Sequence, residues 1–166
     1  MARPAGRAAR PGGRHGRRSE LVLRLSNFAD YGVVIMTAAA RAGGQLVAAS
    51  HVAGQTGIPA PTVAKLMNHL ARAGLLVSHR GVAGGFALAR PASAITLAEI
   101  VEAIDGPIAL THCCGRHPEG CDLLDLCSVR PHWEPVNRAV RHALAGVTLA
   151  TLALRPEVPT PEEASA

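Results

Sequence analysis

Aromatic residues are nearly missing: two Phe, one Tyr and one Trp in 166 residues. A core dominated by large rings is excluded, and close packing of small helices rich in Ala, Leu, Val and Gly is expected instead. No apolar stretch approaches the ~20 residues of a membrane-spanning helix. The longest candidate, Gly32 to Ala40, is ended by Arg41. Arg17-Arg18 has the look of a twin-arginine export signal, but no apolar h-region follows and Arg24 interrupts. Export therefore fails, and a cytoplasmic chain without a membrane partner is expected. Dinucleotide fingerprints, flavin sites and paired catalytic groups are also missing, so no enzyme is expected. The glycine-rich GVAGG at Gly81–Gly85 lacks the Lys-Ser/Thr ending and strand-to-helix setting of a phosphate-cradling loop.

Cysteine is confined to one place. All four thiols fall within the fifteen residues Cys113–Cys127, reading CCGRHPEGCDLLDLC. Small disulfide scaffolds are far richer in Cys and are secreted, so a disulfide framework is disfavoured. Buried thiols acting as small hydrophobes would not gather among Gly, Pro, His and Asp. A soft metal centre would, because thiolates must converge on one point to bind zinc or an iron–sulfur cluster. Structural zinc sites favour pairs with two residues between ligands. Here Cys113 and Cys121 are separated by seven residues, and Cys121 and Cys127 by five, which slightly favours the larger body of a cluster. His112, His117, His132, Asp122 and Asp125 lie nearby as further donors.

The net charge of +5 is unevenly spread. Residues 1–18 hold six Arg and no acid; residues 19–95 hold six cations against two anions; residues 96–166 hold five against ten. A basic first half suggests a polyanion partner.

Residues 1–22 form a basic extension without apolar periodicity and are expected to be disordered. They are either a nonspecific DNA-binding arm or a stretch upstream of a true start near Val22. Leu25 to Arg41 predicts a helix with Leu25, Phe28, Gly32, Ile35, Met36 and Ala39 on its apolar face. Leu46-Val47 suggests a short strand. Ser50 suits the N-cap of a short helix ending at Gly57. Pro61 fits the first turn of a further helix running to about Ala73, with Val63, Leu66, Met67 and Leu70 inward. Two helices joined by a tight turn form a helix-turn-helix. On the outer side of the second lie Thr62, Lys65, His69 and Arg72, able to reach base edges and phosphates. Leu75–Arg80 and Phe86–Ala89 predict a hairpin, or wing, flanked by Arg80 and Arg90, both placed to contact phosphate. Thr96 and Glu99 make a capping box, with Ile95 and Ile100 as its staple, and Gly106-Pro107 ends that helix. Trp133 to Gly146 carries a stripe, Val136, Ala139, Val140, Ala143 and Leu144, suited to pairing two copies. The fold expected is mainly α with a small β-hairpin: a winged helix-turn-helix over 23–92, a cluster-binding loop and dimerisation helices over 93–154, and a loose tail over 155–166.

Taken together, LRLSNFADYG (Leu23–Gly32), TGIPAPTVAKLMNHLARAGLL (Thr56–Leu76), HRGVAGGFALARP (His79–Pro91), ITLAEIVEAIDGP (Ile95–Pro107) and the cysteine loop resemble the Rrf-two family of bacterial winged-helix regulators. ALTHCC and LCSVRPHW look most like the regulators of the SUF iron–sulfur cluster assembly operon. The resemblance implies a homodimer on a double-stranded DNA operator, holding a 2Fe–2S (favoured) or 4Fe–4S cluster on three cysteines and one other ligand. Carried over, the three are Cys113, Cys121 and Cys127. The commonest pattern has five residues in both gaps, so Cys114 stands as the alternative to Cys113. Arg130 occupies the position of a ligating His in some members and cannot serve. A carboxylate reaching across from the partner subunit would correspond to Asp30; His112 and His132 remain as other candidates. The function implied is a cluster-responsive regulator, a repressor of cluster assembly genes. The alternatives are a zinc- or thiol-based redox sensor on the same frame, or an iron–sulfur electron carrier.

Overall fold

The computed structural model describes residues 24–81, 84–115 and 126–154. The basic extension, the tail, His117, Cys121, Asp122 and Asp125 lie outside these residues, as does the side chain of His112. The fold is mostly helical with one two-stranded antiparallel sheet, a winged helix. No helix among the described residues is long and apolar enough to cross a membrane.

Helix α1 (Asn27–Arg41) begins where the Ser26 hydroxyl accepts from the Ala29 N–H at 3.0 Å. It buries Ala29, Gly32, Ile35, Met36 and Ala39. The expected inner face needs one correction: Leu25 precedes the cap, and Phe28 is 52% exposed. Ala29, one helical step on, takes the inward place. Gly32 lets α1 approach closely, since a Cβ there would sit 3.0 Å from Ile104 Cγ1.

Helix α2 (Ala49–Thr56) closes at Gly57, whose φ of 73° favours glycine. Ser50 is not its cap. Val47 exchanges two backbone hydrogen bonds with Phe86, at 2.9 and 3.0 Å, and this pins the chain so that the helix starts just after Ala48. The expected strand at Leu46-Val47 is thereby reduced to a single bridge. Helix α3 (Ala60–Arg72) has Pro61 in its first turn and buries Val63, Leu66, Met67 and Leu70. Gly74, at φ 75°, turns the chain into β1 (Leu76–His79). That strand pairs with β2 (Gly85–Leu88) in the register Leu76↔Leu88 to His79↔Gly85.

Helix α4 (Leu97–Asp105) carries the complete capping box: the Thr96 hydroxyl accepts from the Glu99 N–H, and the Glu99 carboxylate accepts from the Thr96 N–H. Ile95 and Ile100 are both fully buried. Helix α5 (Arg130–Ala145) starts earlier than its apolar stripe suggested, with Pro131 in its first turn, and buries no residue. Helix α6 (Leu149–Ala153) was not visible in the sequence pattern. It returns the chain to the core: Thr148 bridges Thr96, Leu149 is fully buried, and α6 packs on α1.

Candidate nucleic-acid interface and thiol site

The amphipathic pattern of α3 puts four apolar residues inward and leaves Pro61, Lys65, Asn68, His69 and Arg72 exposed. Four of the five residues singled out in the sequence divide between two grooves, and Arg80 lines neither. Thr62, Lys65 and His69 line one of about 390 Å³, together with Phe28, Ile104 and Asp105. Arg72 lines the other with Asn68, against Val77 and Ser78 of the wing. Arg80 is exposed at the end of β1. Thr62 is half-buried.

His69 does more than face solvent. Its Nε2 lies 2.7 Å from the Ala103 carbonyl of α4, so that nitrogen carries the proton and donates. Arg90, expected beside the wing as a phosphate contact, is instead turned onto α4. It pairs with Glu99 at 2.8 Å and donates to the Ala94 carbonyl at 3.1 Å. Burial pushes the Glu99 carboxyl up, but the hydrogen bonds from Arg90 and Thr96 outweigh it and hold the pKa below the usual value.

The thiol site starts at Gly106, where α4 ends at φ 88°. Residues 107–111 lead to a 3-10 turn, His112–Cys114, packed against α5. The Thr111 hydroxyl lies 3.1 Å from Cys113 Sγ and 3.6 Å from Cys114 Sγ. Cys127 stands just before α5, its carbonyl accepting from the Arg130 N–H. Cys113, Cys114 and Cys127 are free thiols, each half-buried. Asp30 is exposed in the first turn of α1, and His132 is exposed in the first turn of α5. Among the described residues no three His, Cys, Asp or Glu side chains converge closely enough to hold a metal ion. The donor chemistry nonetheless fits a thiolate-held centre: soft ligands stand on both sides of a loop, with Cys121 between them.

Two polar contacts join the segments around this loop. The Asn137 side chain accepts from the Leu110 N–H and donates to the Ile108 carbonyl, both at 2.9 Å. Arg141 grips Glu102 through Nε at 2.7 Å and through its second nitrogen at 2.9 Å, which raises the arginine pKa. Sequence reasoning passed over Asn68 and Asn137. A signal existed for the second: a mid-helix Asn beside an apolar stripe is costly unless its amide has a partner elsewhere.

The family model Rrf2, described as iron-dependent transcriptional regulator, matches residues 25–155. Rv1287 of Mycobacterium tuberculosis, described as an HTH-type transcriptional regulator, is 33% identical over 134 residues, spanning 79% of this chain and 81% of its own length. Among solved structures, CymR, the global cysteine regulator of B. subtilis, is similar at TM-score 0.63 and 27% identity, over 79% of this chain and 96% of CymR. T. potens IscR is similar at TM-score 0.63 and 25% identity, over 86% of this chain and 96% of IscR.

Proposed function

Since the chain belongs to the Rrf2 family of transcriptional regulators, we propose that it is a homodimeric repressor whose operator affinity follows an iron–sulfur cluster on its cysteine loop. As a family member it is a DNA-binding regulator with a winged helix-turn-helix, a non-enzymatic role. The proposal adds the cofactor, the dimer and the target, genes of cluster assembly. Residues 23–92 would read DNA and residues 93–154 would sense and pair.

The observation that carries this reading is that cysteines from both ends of the loop lie next to one helix. The turn holding Cys113 and Cys114 packs on α5, and Cys127 leads directly into it. Cys113, Cys121 and Cys127 would hold the cluster, Cys114 being the alternative first ligand, with Asp30 of a second copy, His112 or His132 in the fourth position. When bound, such a cluster supplies an oxidation-sensitive tie among thiolates distant in sequence. The chain's own residues do the rest. α5 packs on α4, α4 packs on α3, and His69 bonds α3 to α4 directly.

In a dimer with half-sites about 10 bp apart, a small change in α5 pairing alters the spacing of two α3 helices. A coupling of ~1–3 kcal/mol is enough to change promoter occupancy. Lys65 and Thr62 would read bases while Arg72 and Arg80 grip phosphate, with His69 at the edge of that surface. Pairing through α5 is supported by its exposed flank, where Val129 and Val136 stand seven residues apart, 51% and 45% exposed.

The test is an anaerobic preparation of the full chain with its visible spectrum and iron and sulfide counts. It is repeated for Cys113→Ala and Cys114→Ala, with operator binding measured alongside. Colour and iron should be lost in one of the two variants and retained in the other. A colourless dimer carrying stoichiometric zinc would overturn the cluster. It would favour a zinc or thiol sensor instead, a second reading supported by the likeness to a cysteine regulator.

A further inference from the structure

A carboxamide has the same donor and acceptor as a peptide group. Asn137 uses both. Bonding the carbonyl of one residue and the N–H of the residue two further on is what a neighbouring β-strand does to an extended chain. Here the side chain of α5 plays that strand to Ile108 and Leu110, at 2.9 Å on each side. Leu110 and Asn137 are 27 residues apart, and all four cysteines lie between them.

We propose that Asn137 is the positioning residue of the cysteine loop: it latches the segment leading into Cys113 against the helix that follows Cys127, closing the loop before any cofactor arrives. The proposal rests on the cluster reading above for its purpose, though not for its geometry.

Three considerations carry it. Leu110 is three residues from Cys113, and the intervening Thr111 meets both sulfurs, so fixing Leu110 fixes the thiols. Both latch bonds are partly buried, and an unmet backbone group there costs more than an exposed one. Finally, α5 has no fully buried residue, so the latch adds to the packing of the His112–Cys114 turn on this helix where no buried apolar seam does. Closing a loop beforehand lowers the entropy lost when ligands are gathered. The latch therefore favours cluster assembly and slows its loss without touching the cluster.

The experiment compares wild type, Asn137→Leu and Asn137→Asp as full-length protein. Leucine keeps the bulk and loses both bonds. Aspartate keeps the acceptor for the Leu110 N–H and loses the donor to Ile108. Hydrogen exchange of the Leu110 amide is read in cluster-free protein; iron per chain and the decay of visible absorbance in air are read after anaerobic preparation. Asn137→Leu is expected to exchange Leu110 about tenfold faster, the loss of roughly one hydrogen bond, and to lose colour severalfold faster, with Asn137→Asp in between. Thermal unfolding of the α1–α4 core should hardly move, which separates positioning from general damage. Unchanged Leu110 exchange in Asn137→Leu would overturn the proposal, as would an unchanged decay of colour. If wild type takes up no iron, the cluster reading fails, and Leu110 exchange alone still decides the latch.

Discussion

Helix α3 buries Val63, Leu66, Met67 and Leu70 in a common core with α1, α2 and β1, whereas the longer α5 has no fully buried residue. One end of the molecule is held by apolar contact along the whole inner face of its helices. The other is held by one amide latch, one arginine–carboxylate pair and half-buried side chains. A rigid element is wanted where a helix must fit a groove of fixed width, and the apolar core supplies it. A responsive element cannot be over-packed. If its position were fixed by burial worth several kcal/mol, no modest change at a loop could move it.

The comparison breaks most sharply at Leu70. Leu70→Ala, at a fully buried position, should cost about 2–5 kcal/mol by thermal or urea unfolding, because the void is closed in by rigid neighbours. A loss below about 1 kcal/mol would mean that the core is looser than its burial implies.

A smaller effect is expected at the junction of the two ends, where Glu99 caps α4. Its carboxyl is held below the usual pKa, so the folded state gains from the ionised form. That gain is present above the unfolded carboxylate range and fades as pH falls through the folded value. The stability gap between wild type and Glu99→Gln should therefore be widest near neutrality and vanish in acid. A gap that grows on acidification would contradict the assignment.

The smallest effect belongs to Arg141→Ala. The Arg141–Glu102 pair is bidentate but largely exposed, at 52% on the arginine side. Its loss should hardly shift the melting temperature, and even that shift should disappear in about 1 M salt. A large, salt-independent loss would show that α5 is anchored more firmly than its exposure suggests.

Much of the reading end was legible beforehand because its signals are local. Gly57 and Gly74 stop helices by taking positive φ, Pro61 opens one, and Thr96-x-x-Glu99 closes its own hydrogen bonds. The misses have a common cause in partners remote in sequence. Ser50 looked like a cap until Val47 met Phe86, 39 residues later. Arg90 looked free for phosphate until α4 folded back and offered Glu99. Phe28 fell on the expected stripe, yet it lies in a groove beside Lys65 and His69 rather than in the core. At the thiol end the clustering singled out all four cysteines as candidates, of which Cys121 lies outside the described residues. Asn137 carried no such mark, because the backbone groups it serves stand 27 and 29 residues away.

Leu97 donates its N–H to Val147, and Leu149 donates to Ile95, at 2.8 Å each. Everything from α4 to the end of α5 thus departs and comes home through a single gate two bonds wide. Length added or removed between α4 and α5 leaves both gateposts where they were. The stretch between the two helices is thus free to vary in length while the helix-turn-helix, with α4 packed into it, keeps its shape.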